Sequence, residues 1–252
     1  MKKITMLLVA AMMVSGLSEQ SFAQISNLGK TGTQSKPKMT TGNTIPSSSN
    51  NLSQNEVAKG LKEALTLGAQ NASSKLSATN GFFGNNLIKI LLPAEVRQAE
   101  SMLRNVGLGS IVDKAILSMN RAAEQASAKA VPIFVSAITG MSIQDGLGIL
   151  KGGNGAATNY LQQRTTLELT NAFRPVIDNA LRNTGATAYW NQLFTAYNKL
   201  PLRQKVNADL TSYVTEKALN GLFITIADEE NKIRTNPASR VSDILQKVFG
   251  GL

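Results

Sequence analysis

From Ser53 onward, for roughly 200 residues, apolar side chains recur three or four positions apart and never alternate with period two long enough to build a strand. That spacing paints one apolar stripe on each helix and leaves helix against helix as the way to bury it. The expected fold class is all-α: a single multi-helix bundle of eight or nine helices, the long ones kinked, over residues 52–252. Ser53-Gln54-Asn55-Glu56 is a capping box ahead of Val57, Leu61, Ala64, Leu65, Ala72 and Leu76, and Asn80-Gly81 stops that helix. Pro93-Ala94-Glu95 opens a second, which Gly107 ends. Ser110 with Asp113 starts a third that Pro132 kinks or breaks, and Ser142 with Asp145 caps a short fourth ending at Gly152-Gly153. A long helix from about Ala156 is expected to be bent or split by Pro175 before Gly185, a shorter one covers Thr187 to Lys199, and Leu200-Pro201 marks a corner. The longest helix is expected from about Leu202 or Asn207 to Arg234, with Asn236-Pro237 closing it and opening a final helix through Ile244 and Val248.

The chain opens MKKITMLLVAAMMVSGLSEQSFAQ: two lysines, an apolar run from Ile4 to Leu17, then Ser21-Phe22-Ala23, a small-x-small pattern suited to signal peptidase. Residues 1–23 are expected to be a signal peptide cleaved after Ala23, and the product to be exported to the periplasm or outer envelope. No later stretch reaches the roughly 20 apolar residues that a membrane-spanning helix requires. Residues 24–51 hold 19 Gly, Ser, Thr, Asn or Pro among 28, with Lys30, Lys36 and Lys38 and no acid, a composition that reads as a disordered polar linker.

The whole chain carries a net charge of +10, and without residues 1–23 it keeps 24 basic and 15 acidic residues, a net of +9. Outside the cytoplasm such a charge meets anionic lipid headgroups or wall polymers before nucleic acid. The basic residues are scattered among the aromatics and do not form a stacking platform, so no nucleic-acid partner is expected. There is no histidine and no cysteine. That removes Ser-His-Asp and Cys-His nucleophiles, leaves zinc without its favoured ligands, and rules out disulfides and a lipobox thiol. No cofactor and no metal is expected.

Four stretches could still carry a site. In "ITIADEENKIR", residues 224–234, Asp228 faces Lys232 and Glu230 faces Arg234 one helical turn on, the spacing of exposed surface pairs. Glu229 differs, because Leu222, Ile226, Glu229 and Ile233 step by four, three and four and place it on the apolar stripe. A carboxylate there needs a partner. An arginine from another helix, Arg121 or Arg174, is expected to supply one; a catalytic acid is the other reading. "MNRAAEQASAKA", residues 119–130, sets Asn120, Arg121 and Glu124 among alanines, either as a satisfied interhelical network or as the lining of a site. "LKGGNGAATNYLQQRT", residues 150–165, places glycines before a helix start, so that Gly153, Gly155 and Thr158 form a candidate anion site or a plain turn. "NGFFGNNLIKILLP", residues 80–93, offers Phe82, Phe83 and Lys89 as a loop that dips into a membrane, covers a pocket or tucks into the core. Tyr189, Trp190, Phe194 and Tyr197 fall on helical spacing and read as core or groove lining.

Together with "LKEALTLGAQNA", "YVTEKALNGLF", "IADEENKIRTNPASR" and "ILQKVFG", these stretches resemble a bacterial family known as domain of unknown function number 4197, over nearly the whole of residues 53–250. The resemblance implies an exported, mainly helical envelope protein. Many members look like lipoproteins, and this chain departs from them in lacking a cysteine. It implies no activity, cofactor or catalytic residue. The expected function is a non-enzymatic helical envelope protein that binds a lipid, a peptide or another envelope protein through an interhelical groove. The alternative is a hydrolase of a cell-wall polymer with Glu229 or Glu124 as general acid, which needs a second carboxyl across an open cleft.

Overall fold

Local signals set most helix ends. The Ser53 hydroxyl accepts from the Glu56 N–H at 3.3 Å while the Glu56 carboxylate accepts from the Ser53 N–H at 2.8 Å, and helix α1 (Gln54–Ser77) starts there. The reciprocal Ser142 and Asp145 pair starts α6 (Ile143–Lys151) in the same way. The computed structural model describes residues 52–97, 100–199, 209–240 and 242–250, all within one compact unit spanning residues 49–252. The expected signal peptide, the expected linker through residue 51 and the expected corner at Leu200-Pro201 lie outside the described residues.

The remaining elements are two short helices, α2 (Ala94–Arg97) and α3 (Glu100–Leu103), then α4 (Gly109–Ser127), α5 (Ala130–Thr139), α7 (Ala156–Asn183), α8 (Ala186–Asn198), α9 (Leu210–Thr235) and α10 (Asp243–Gly250). Among the described residues there is no strand, and eight of the helices have eight residues or more. The fold is the all-α bundle that the periodicity implies. No single helix among the described residues is long and apolar enough to cross a membrane.

Several boundaries differ from expectation. Ser110 and Asp113 cap nothing: a π-helical turn (Arg104–Leu108) joins α3 to α4, interrupted only at Val106 and at Gly107, whose φ is +87°. The chain never presents a fresh helix start there, and Asp113 instead takes the Arg104 guanidinium at 2.7 Å. Pro132 lies in the first turn of α5, where a missing N–H is harmless, so it follows a break and kinks nothing. Pro175, in contrast, sits inside an unbroken α7 of 28 residues, the longest helix, against 26 for α9. Phe173 and Ile177 on either side are fully buried, and that burial outweighs one lost backbone hydrogen bond.

Helix α1 runs through the middle, touching α4, α5, α6, α9 and α10, while α7 packs along both α4 and α9. The core is filled by Leu76, Met119, Phe134, Phe173, Trp190 and Leu222, all nearly inaccessible.

Candidate functional site

The polar trio on α4 reaches toward one segment. Asn120 is fully buried; its amide oxygen accepts from the Ile90 N–H at 2.8 Å, and its amide nitrogen donates to the carbonyls of Ile90 (2.8 Å) and Ile116 (2.7 Å). One turn further, Glu124 takes the N–H groups of Phe82 and Phe83 on a single oxygen, each at 3.2 Å, and holds the Arg121 guanidinium on the other. Arg121 also donates to the side-chain oxygen of Asn80 at 2.8 Å. Residues 80–90 are thus fixed to α4 by side chains standing in for backbone partners, which removes the cost of burying an unpaired loop.

Phe82 tucks fully into the core, against α9 where that helix has Gly221; a Cβ at that position would lie 2.5 Å from the Phe82 ring. Phe83 is half-buried, with the Lys89 ammonium 4.0 Å from its ring centroid and the Arg121 guanidinium at 5.8 Å.

The glycine-rich turn before α7 is an anion site whose anion is internal. Gly153 and Gly155 adopt left-handed conformations, φ +72° and +82°, that aim the first amides of α7 at α9. The Glu230 carboxylate accepts from the N–H groups of Ala157 (3.2 Å) and Thr158 (2.9 Å) and from the Thr158 hydroxyl (2.7 Å). Arg234 closes the arrangement, its Nε 2.9 Å from Glu230 and its Nη2 donating to the Ile149 carbonyl at 2.9 Å.

This corrects the reading of the acidic run. The carboxylate sealed by a guanidinium is Glu230, and the pair expected on the surface is the buried one. Glu229, with a side chain 12 % exposed, pairs with Lys232 at 2.8 Å and accepts from Asn71 at 3.4 Å, and neither Arg121 nor Arg174 reaches it. Hydrogen bonds donated to Asp228 first, then to Glu229, push the Lys232 ammonium above its ordinary pKa. Arg174 stands apart from the whole network, bonding Ser212 at 2.6 Å and Asp209 at 3.4 Å. Position 230 is three residues from Ile233 and four from Ile226, as 229 is four and three, so helical spacing alone does not separate them.

The segment that α4 clamps forms one wall of a groove of about 540 Å³, with α9 as the other wall and Trp190 of α8 beneath. The Tyr213 hydroxyl donates to the Leu91 carbonyl at 2.8 Å, tying the walls together at one end. Trp190 is held by Phe194 and Tyr213, ring centroids 4.4 and 5.9 Å away. Leu87, Leu91 and Ile224 are exposed around the groove, Leu87 at 84 %. Lys89, Arg97 and Lys217 line it, and among the described residues no carboxylate does. Sequence reasoning had Lys89 and Trp190 but missed Arg97 and the α9 wall. The signal was there: Lys217, Asn220, Gly221 and Ile224 lie at spacings of three, one and three, on one helical face. Among the described residues, no cluster of three carboxylates is placed to hold a metal ion.

The model of a family described as a protein of unknown function, DUF4197, matches residues 51–250. No curated protein and no solved structure matches the chain.

Proposed function

The chain belongs to the DUF4197 family, and we propose that it is an exported, non-enzymatic envelope protein that binds a lipid, peptide or protein partner in the groove between residues 87–94 and α9. The observation that carries this reading is the groove itself. Its exposed leucines and isoleucine stand beside three cations with no acid among the described lining residues, and one of its walls is pinned by Asn120 and Glu124. Exposed apolar side chains gathered around a concavity mark a binding site more often than scattered ones do. The N-terminal sequence supports export, and the net positive charge supports an anionic environment.

The two carboxylates that a hydrolase would use as general acid have other engagements: Glu124 with two backbone amides and Arg121, Glu229 with Lys232. Among the described residues, neither the groove nor the smaller cleft between α7 and α9 is lined by the two carboxyl groups that glycoside hydrolysis requires.

A photo-crosslinking residue at position 224, irradiated in intact cells, tests the reading. A specific adduct is expected at 224 and none at 167, where Leu167 is 77 % exposed on the outside of α7. Equal labelling at both positions, or none at either, overturns it.

A further inference from the structure

We infer that the groove takes an acidic amphiphile, with a hydrocarbon chain laid toward Leu87 and Ile224 and a negatively charged end held by Arg97 and Lys217. This rests on the groove being the binding site, and it adds a direction and a ligand class.

The two walls run antiparallel. Gly221 faces Ile88, whose Cβ would stand 3.3 Å from a Cβ at position 221, while Tyr213, two helical turns earlier, bonds the Leu91 carbonyl. The groove therefore has two chemically distinct ends. Toward Ile88 and Gly221 it is rimmed by the exposed Leu87 and Ile224. Toward Tyr213 it reaches Leu91, after which the lining residues Ala94 and Arg97 follow along the chain, with Lys217 midway between Tyr213 and Gly221 on the α9 wall. From Lys217 to Ile224 is about 10 Å along the helix, at 1.5 Å per residue, so a chain of several carbons separates the two groups of contacts.

Charge complementarity sets the sign of the ligand. Among the described residues the lining offers cations from three separate positions and no anion. Lys89 stands over the Phe83 ring at 4.0 Å and Lys217 over the Tyr213 ring at 5.5 Å, so of the two it is Lys217 that lies at the Tyr213 end of the groove. Glu216, 67 % exposed, touches Lys217 at 3.3 Å; a solvent-exposed pair of that kind is weak and yields to a better-placed anion. A volume of about 540 Å³ suits one acyl chain with its head and is within the range of small-ligand sites.

The test is binding of defined probes to the detergent-free full chain by isothermal titration. Dodecanoate and short-chain phosphatidylglycerol are expected to bind, and which is tighter separates a free fatty acid from a phospholipid as the source. Dodecyl maltoside, with the same chain and a neutral head, should bind at least about fivefold more weakly, and glycerol 3-phosphate should not bind. Arg97→Gln and Lys217→Gln should each weaken dodecanoate by about threefold to fivefold, leave the maltoside unchanged, and flatten the salt dependence. Equal binding of the neutral and acidic probes, binding of glycerol 3-phosphate alone, or an acidic peptide that binds where neither lipid does would each overturn the proposal. If the adduct at position 224 forms while no amphiphile binds, the groove stands as the site and only the ligand class falls; if neither occurs, both fall.

Discussion

Glu230 shows what a buried charge needs in order to be tolerated. Its side chain is 4 % exposed, and both oxygens are occupied by donors from α7 and by the Arg234 guanidinium one turn on. Such a pair adds little net stability when complete, because desolvation offsets the attraction, but breaking it strands a cation. Glu230→Ala is therefore expected to cost about 3 to 5 kcal/mol in urea denaturation. Asp228→Ala, which removes an exposed partner of Lys232, should cost at most about 1 kcal/mol. If the two variants unfold at the same urea concentration, the burial argument fails. The identity of the buried acid was illegible in the sequence because 229 and 230 straddle the same apolar stripe. Only the approach of α7 to one side of α9 chooses between them.

At the scale of elements, the most informative piece is the irregular segment between α1 and α2. It has no regular backbone pairing, yet Phe82, Ile90 and Leu92 within it are nearly inaccessible. Helix α4 makes that possible with one amide and one carboxylate. Asn120→Ala would leave the Ile90 N–H and carbonyl buried without partners, a penalty of about 1 to 3 kcal/mol for each group. Native-state hydrogen exchange should then show the Ile90 amide exchanging at least about tenfold faster, with the amides of α7 unchanged. Protection at Ile90 equal to that of the parent chain would mean Asn120 is not what holds the groove wall. The trio Asn120, Arg121 and Glu124 could be picked out in the sequence as polar groups in an alanine-rich helix, and the same is true of Phe82, Phe83 and Lys89 as an unusual loop. Their meeting could not, since the hydrogen bonds joining them span 30 to 42 residues.

For the whole molecule, the distribution of titrating groups sets the response to pH. Asp113 is held below its ordinary 3.8 by hydrogen bonding from Arg104, and Asp209 by the hydroxyl and then the N–H of Ser212. Glu56 and Asp145 are lowered by the N–H and hydroxyl groups of Ser53 and Ser142. A carboxyl with a depressed folded pKa stabilises the fold fully above its unfolded value and loses that contribution as pH falls through the lower folded one. Lys232 has the opposite sign: its contribution is complete below 10.5 and is lost as pH rises through its higher folded value. With no histidine in the chain, no side chain of ordinary pKa titrates between about pH 5 and 8. Thermal denaturation followed by circular dichroism should give a plateau over that range, a fall below about pH 4 and a second fall above about pH 10. A step near pH 6.5 would contradict this assignment.

The amino-acid sequence determined, without help, that the described chain is helical, where α1 and α6 begin, and that Gly107 and Pro132 fall at breaks. Those outcomes rest on interactions within a turn or two: apolar spacing, a hydroxyl three residues from a carboxylate, a residue without an N–H. Tertiary structure alone decided that Glu230 fills the α7 anion site, that Arg174 lies outside the buried network, and that residues 87–94 and α9 enclose a groove. The reason is one of distance along the chain. Glu230 and Thr158 are 72 residues apart and Tyr213 and Leu91 are 122 apart, and no local rule relates such positions until packing brings their helices together.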